Sequence, residues 1–77
     1  MEIKVLGTGC PKCKALEKAV INSLAELNIQ AEVNKVEDII QIMQYGVMRT
    51  PALVIDGKVV LSGRLPNDSE LKSFLTQ

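Results

Sequence analysis

Two cysteines separated by two residues constrain this chain more than any other feature of its sequence. Cys10 and Cys13 are its only cysteines, and they lie in residues 7–14, which read GTGCPKCK. This stretch follows a short apolar run, residues 3–6, and precedes a long helical pattern. A Cys-x-x-Cys pair between a strand and a helix is typical of a redox-active dithiol. We therefore expect the remaining residues to form the scaffold that holds this pair.

Length and composition favour one small domain, residues 1–77, with an aliphatic core. Tyr45 and Phe74 are the only aromatic residues. A chain of this size buries only about 60% of its unfolded surface when it folds. Nine basic and nine acidic side chains balance each other, which argues against nucleic acid or an acidic membrane surface as a partner.

The location expected from the sequence is the cytoplasm. No apolar run approaches the roughly 20 residues of a transmembrane helix. Met1 leads directly into the first strand pattern, so no signal peptide is expected. In a reducing compartment, paired cysteines serve catalysis or metal binding more often than they serve stability.

Hydrophobic periodicity and turn residues predict the element order β-α-β-α-β-β-α. Gly46 is expected to end the second helix. Asn34 and Glu37 also fit a capping box that would start this helix earlier, but the preceding strand would then be very short. The predicted bounds are strand 3–6, helix 11–28, strand 29–36, helix 37–45, strands 52–55 and 59–61, and a last helix opened by a capping box of Asn67 and Glu70.

The predicted fold class is α/β, with a four-stranded mixed sheet and three helices on its faces. A strand, a crossover helix and a second strand are expected to give a parallel, right-handed pair. Asp56-Gly57 between two apolar runs predicts an antiparallel hairpin for the last two strands.

The two cysteines are expected to have different roles. Cys10 precedes the helix, where unpaired backbone N–H groups and the positive end of the helix dipole favour a thiolate. Lys12 adds positive potential, and Pro11 suits the first helical position. We therefore expect a Cys10 pKa below the value of about 8.5 for a free cysteine. Cys13, one turn further along, is expected to be more buried, so that Cys10 attacks and Cys13 resolves.

Three other interpretations of the cysteine pair remain open. A structural disulfide closing so small a ring would contribute only about 2 kcal/mol. A soft metal such as Cu(I) can be held by two thiolates, although zinc would need further ligands and copper chaperones have a methionine where Thr8 stands. An interaction domain with an incidental disulfide is the third. The residues favour the interpretation that this is a dithiol–disulfide exchange protein without a metal.

The strand, the Cys-Pro-Lys-Cys at a helix start and the later Thr50-Pro51 before a hairpin resemble the thioredoxin/glutaredoxin superfamily. The Gly-Thr-Gly-Cys approach is similar to that of the small thioredoxin-like, or glutaredoxin-like, redox proteins of archaea and bacteria. The resemblance implies a thioredoxin-like fold and a dithiol–disulfide oxidoreductase that reduces protein disulfides. It implies no cofactor beyond the Cys10–Cys13 disulfide, and a reductase of the thioredoxin-reductase type as electron donor.

The same resemblance implies that Pro51 follows a cis peptide bond and packs against the cysteines, and that the backbone of Thr50 binds the substrate. From the residues alone, a trans proline at the start of a strand would be the ordinary expectation. Gly9 supports the loop and stands where thioredoxins have a tryptophan. The superfamily's buried acid has no evident counterpart in this sequence.

Glutathione is not favoured as a partner, because residues 62–64, Ser-Gly-Arg, replace the Gly-Gly-acid pattern with which glutaredoxins bind it. Arg64 or Arg49 can meet a carboxylate, although a solvated role is expected for each. Tyr45, Met48 and Leu65 flank the loops around the cysteines and are candidates for an apolar rim.

Overall fold

Seven elements follow one another along the chain in the predicted order. The computed structural model describes residues 1–76, and within them no helix is both long enough and apolar enough to cross a membrane. The elements are β1 (Glu2–Leu6), α1 (Pro11–Glu26), β2 (Glu32–Val36), α2 (Ile39–Gln44), β3 (Ala52–Ile55), β4 (Lys58–Ser62) and α3 (Asp68–Leu75).

The four strands form one mixed sheet in the order β2-β1-β3-β4. β1 pairs with β2 in parallel, whereas β1 with β3 and β3 with β4 are antiparallel. Asp56 and Gly57 both have positive φ values, 50° and 84°, which is the backbone that a tight hairpin between β3 and β4 requires. The predicted α/β class, parallel pair and hairpin are therefore confirmed.

Strand alternation divides the apolar side chains between the two faces of the sheet. Ile3 and Val5 of β1 face α1 and α3, whereas Leu6 faces α2. The first face carries the larger core, in which Leu16, Val20, Leu24, Leu53, Leu61, Leu71 and Leu75 are also buried. The second face is covered by a smaller cluster that includes Ile42, Val47, Ala52 and Val54. The core of buried side chains is aliphatic, as predicted.

Three predicted boundaries were wrong by two or three residues. α1 ends at Glu26 rather than at residue 28, because Asn28 adopts a left-handed backbone with φ 55° and the N–H of Ile29 donates to the Leu24 carbonyl at 2.9 Å. The next residues cross from the helix end to the sheet, so β2 begins only at Glu32. Such endings through a left-handed residue are common, but they depend on contacts outside the helix.

α2 begins at Ile39 because the Asp38 side chain accepts the N–H of Ile40 at 2.9 Å. The alternative capping box of Asn34 and Glu37, which would have started the helix earlier, is therefore wrong. The helix ends as predicted before Gly46, which has φ 78°.

The capping box predicted for α3 is only half formed. The Asn67 side chain accepts the N–H of Glu70 at 2.7 Å, as expected. The Glu70 carboxylate instead accepts two hydrogen bonds from Arg64, at 2.7 and 2.5 Å. These hydrogen bonds hold the pKa of Glu70 below its usual range and raise that of Arg64. Arg64 therefore has a carboxylate partner within its own chain.

Replacing Asn67 by alanine is expected to lower the free energy of unfolding by about 1 kcal/mol, because the N–H of Glu70 loses its acceptor. Urea unfolding of the oxidised protein measures this change. Asn34→Ala is the matched control: Asn34 is exposed on β2 and donates only to the exposed Glu32, so its removal should change stability by less than about 0.5 kcal/mol. Equal losses in the two variants would contradict the capping role.

Candidate active site

The cysteines lie where β1 ends and α1 begins. Gly9 takes a left-handed backbone with φ 86°, which turns the chain back towards the helix. Cys10 is the N-cap, with an extended backbone, and Pro11 is the first helical residue. Pro11 loses no hydrogen bond there, because the first N–H groups of a helix have no partner within it. The local sequence thus accounts for this turn.

Cys10 and Cys13 form a disulfide with 5.1 Å between their Cα atoms, an ordinary separation. The N–H of Cys13 donates to the Cys10 sulfur at 3.2 Å, so this sulfur occupies the place of a capping oxygen. A thiolate at this sulfur would accept the same N–H and face the positive end of the α1 dipole. The prediction of a low Cys10 pKa remains a prediction.

The two sulfur-bearing residues differ in exposure. Cys13 is 5% exposed and belongs to the buried set, whereas Cys10 is only partly covered. Gly7, which sequence reasoning treated only as the end of a strand, lies directly against Cys13: a Cβ built on Gly7 would be 2.9 Å from the Cys13 Cβ. Cys10 is therefore the more accessible of the two residues.

A small cavity of about 30 Å³ lies beside Cys13 and close to the surface loops. Lys35 and Glu37 line it together with Gly7 and Gly9. Sequence reasoning did not find these two charged residues, because the parallel pairing of β2 with β1 is what brings the end of β2 to the cysteines.

Thr50 and Pro51 also lie at this end of the sheet. Ala52 pairs with Leu6, so the residues before Ala52 run beside Gly7. The Thr50–Pro51 peptide bond is cis, which confirms what the resemblance implied. Pro51 is buried and its carbonyl accepts the N–H of Gly63 at 2.9 Å, whereas Thr50 is exposed.

The three supporting positions named from the sequence lie in the same region. Gly9, Pro11 and Lys12 are all exposed around Cys10, at the loop and the first turn of α1. Lys12 adds positive charge near the sulfur, and solvent screens it there.

An apolar groove of about 350 Å³ adjoins the site. Its lining consists of Thr8, Ile39, Ile42, Met43, Val47, Met48 and Thr50. Met48 is 98% exposed and Met43 66%. The other two residues expected in an apolar rim, Leu65 and Tyr45, are not among those that line the groove. The Tyr45 hydroxyl accepts a hydrogen bond from Lys4 at 3.1 Å in a separate pocket.

Among residues 1–76, no three histidine, cysteine, aspartate or glutamate side chains come together in an arrangement that could hold a metal ion. The two cysteines therefore have no third ligand of these types in the part of the chain described.

Known proteins are similar to this chain over most of its length. The family model of the thioredoxin domain matches residues 1–76. The chain is 37% identical over 76 residues to the thioredoxin of Methanothermobacter thermautotrophicus, with 99% of each chain covered. It is 38% identical over 73 residues to the thioredoxin of Methanocaldococcus jannaschii, covering 95% of this chain and 84% of the relative.

A more distant relative is a probable thioredoxin of Archaeoglobus fulgidus, which is 33% identical over 69 residues, covering 86% of this chain and 75% of the relative. The similarities extend far beyond the cysteine motif, since they cover the sheet and all three helices. The chain therefore belongs to the thioredoxin family, and it is a thiol–disulfide oxidoreductase.

Proposed function

We propose that this oxidoreductase reduces disulfide bonds in other proteins, with Cys10 as the attacking residue and Cys13 as the resolving residue. The observation that carries the proposal is the unequal environment of the two sulfurs. The Cys10 sulfur caps a helix and residue Cys10 is partly exposed, whereas Cys13 is 5% exposed. A large substrate can reach only the first of them.

The reaction consists of two thiol–disulfide exchanges. The Cys10 thiolate attacks one sulfur of the substrate disulfide, forms a mixed disulfide and releases the first substrate thiolate. Cys13 loses its proton and attacks the Cys10 sulfur, which releases the second substrate thiolate. Two electrons have then passed to the substrate, its two thiolates take up protons, and Cys10–Cys13 is a disulfide.

A low pKa of Cys10, as we propose, has two opposing effects on the first exchange. A lower pKa increases the thiolate fraction near neutral pH but reduces the nucleophilicity of each thiolate, so the two effects on attack largely cancel. When Cys13 resolves the mixed disulfide, Cys10 carries the attacked sulfur and the negative charge leaves on the substrate sulfur. The pKa of the leaving substrate thiol therefore influences this step more than the pKa of Cys10 does.

The surface around Cys10 suits an extended polypeptide segment. Thr50 is exposed between the cysteines and the groove, and Pro51 holds it there, so we assign substrate binding to these two residues. Ile39, Met43 and Met48 offer apolar contacts beside them. Flexible methionine side chains can adapt to different apolar residues of a substrate.

The electron donor that we propose is a reductase of the thioredoxin-reductase type, and the location is the cytoplasm. A reducing compartment and such a reductase return the Cys10–Cys13 disulfide to the dithiol after each turnover.

Alkylation of the Cys13→Ser variant over a range of pH is expected to show a midpoint below about 8.5, because the helix N-terminus stabilises the Cys10 thiolate. The same variant unfolded in urea is the control and should titrate as an ordinary thiol. A folded-state midpoint equal to the unfolded one would contradict the electrostatic argument.

Trapping from a cell extract under non-reducing conditions tests the division of roles. Cys13→Ser should accumulate mixed disulfides with substrate proteins, because attack occurs but resolution does not. Cys10→Ser, the matched variant, should form hardly any. If Cys10→Ser traps partners equally well, the roles are misassigned. If neither variant traps a protein, disulfide reduction in proteins is contradicted and metal titration of the reduced protein becomes the next measurement.

The groove is tested by Met48→Gln, which keeps the length of the side chain but removes much of its apolar character. The KM for a disulfide-bonded protein such as insulin is expected to rise severalfold, while the rate with a small aromatic disulfide stays unchanged. Ile21→Gln is the control, since Ile21 is 50% exposed on α1 and does not line the groove. Equal effects of the two substitutions would remove the groove from substrate binding.

A further inference from the structure

Gly7 makes the closest approach of the backbone to the resolving cysteine. A Cβ built on Gly7 would overlap the Cys13 sulfur and lie 2.9 Å from the Cys13 Cβ. Real Cβ atoms essentially never approach other heavy atoms so closely. The other neighbour within 4 Å, the Cβ of Thr50, is at an ordinary contact distance of 3.8 Å. The conflict is therefore with Cys13 alone.

The backbone at Gly7 does not itself demand glycine. The glycines with left-handed backbones are Gly9, Gly46, Gly57 and Gly63, and Gly7 is not among them. An alanine at position 7 would meet no torsional penalty of that kind. What excludes a side chain here is the volume of the Cys13 side chain.

Gly7 also has little freedom to move away. It is buried, it follows β1 directly, and its N–H donates to the Val36 carbonyl at 2.9 Å, which extends the pairing of β1 with β2. Retreat from Cys13 would break this hydrogen bond, which continues the pairing of β1 with β2 past the end of β1. A Cβ at position 7 therefore displaces the cysteine rather than the strand.

We propose that Gly7 is a positioning residue for the dithiol, and that the missing side chain favours the Cys10–Cys13 disulfide over the reduced pair. This inference rests on the proposed function, since it describes how strongly the reduced protein donates electrons. In the disulfide form, the Cys13 sulfur is tethered to Cys10 and must occupy the space in front of Gly7.

Reduction removes this tether. The Cys13 sulfur then can turn about its Cα–Cβ bond towards the adjacent cavity of about 30 Å³, which is large enough for one water-sized group. A Cβ at position 7 would thus raise the free energy of the disulfide form more than that of the dithiol form. By leaving the space empty, Gly7 makes the reduced protein the stronger reductant.

Equilibration with dithiothreitol measures this effect without any protein substrate. Reduced dithiothreitol passes two electrons to the protein disulfide, which gives the protein dithiol and cyclic oxidised dithiothreitol. The equilibrium constant is the ratio of protein dithiol to protein disulfide multiplied by the ratio of oxidised to reduced dithiothreitol. For Gly7→Ala we expect this constant to shift at least tenfold towards the protein dithiol, which corresponds to about 30 mV.

Gly46→Ala is the matched control. Gly46 has φ 78° and no atom within 4 Å of a built Cβ, so alanine there costs stability through the backbone without touching the cysteines. Its equilibrium constant with dithiothreitol should equal that of the unsubstituted protein. Urea unfolding of the oxidised and reduced forms gives a second readout: Gly7→Ala should destabilise the oxidised form more, whereas a merely structural glycine would affect both forms equally.

An unchanged equilibrium constant in folded Gly7→Ala, or a shift towards the disulfide, overturns the proposal. If Gly7→Ala does not fold, it is combined with Cys13→Gly, which removes both overlapping atoms. Recovery of the fold in the double variant supports the proposal, and failure in both backgrounds overturns it. A failed trapping experiment would instead contradict protein disulfide reduction and leave this equilibrium measurement unaffected, so the two failures are distinguishable.

Discussion

The hydrogen bonding of β1 on both of its edges is the constraint on which the site depends. β1 pairs with β2 along one edge and with β3 along the other, and its side chains are buried on both faces of the sheet. An inner strand held in this way has little freedom at its end. Residues 7–10 therefore leave the sheet from a fixed point, and Gly7 is still bonded to the last residue of β2.

Helix α1 places the positive end of its dipole at this fixed point. Its buried residues, Leu16, Val20 and Leu24, pack on the first face of the sheet and hold the helix axis so that its N-terminus lies at the end of β1. The same packing turns Cys13 inward and leaves Cys10 at the rim. Unequal exposure and unequal electrostatics of the two sulfurs thus follow from one helix docked on one strand.

The second face of the sheet is covered differently. α2 has only six residues, and of these only Ile42 is buried. Two of the apolar side chains that it leaves exposed, those of Ile39 and Met43, line the groove next to Thr50. Exposed apolar surface of this kind carries a cost in solubility, and at a site of protein recognition it provides contact area. This short helix therefore leaves apolar surface next to Thr50, where we propose that protein substrates bind.

Sequence alone determined those features that short stretches of chain decide. The period of apolar residues predicted the order of the elements, and Asp56-Gly57 predicted the hairpin. Cys10 before Pro11 predicted the start of α1. These features depend on neighbours only a few residues apart, so local backbone and capping chemistry is sufficient. The cis peptide bond before Pro51 was predicted from the family resemblance, because the residues themselves favour a trans bond.

Tertiary structure decided the contacts between residues that belong to different elements and loops. It paired Arg64 with Glu70 rather than with a ligand, placed Tyr45 over Lys4, and set the Cys13 sulfur against Gly7. Each contact follows from strand register and from the angle at which a helix meets the sheet. These depend on the packing of the whole core, because a side chain selects its partner only after the backbone that carries it has been placed.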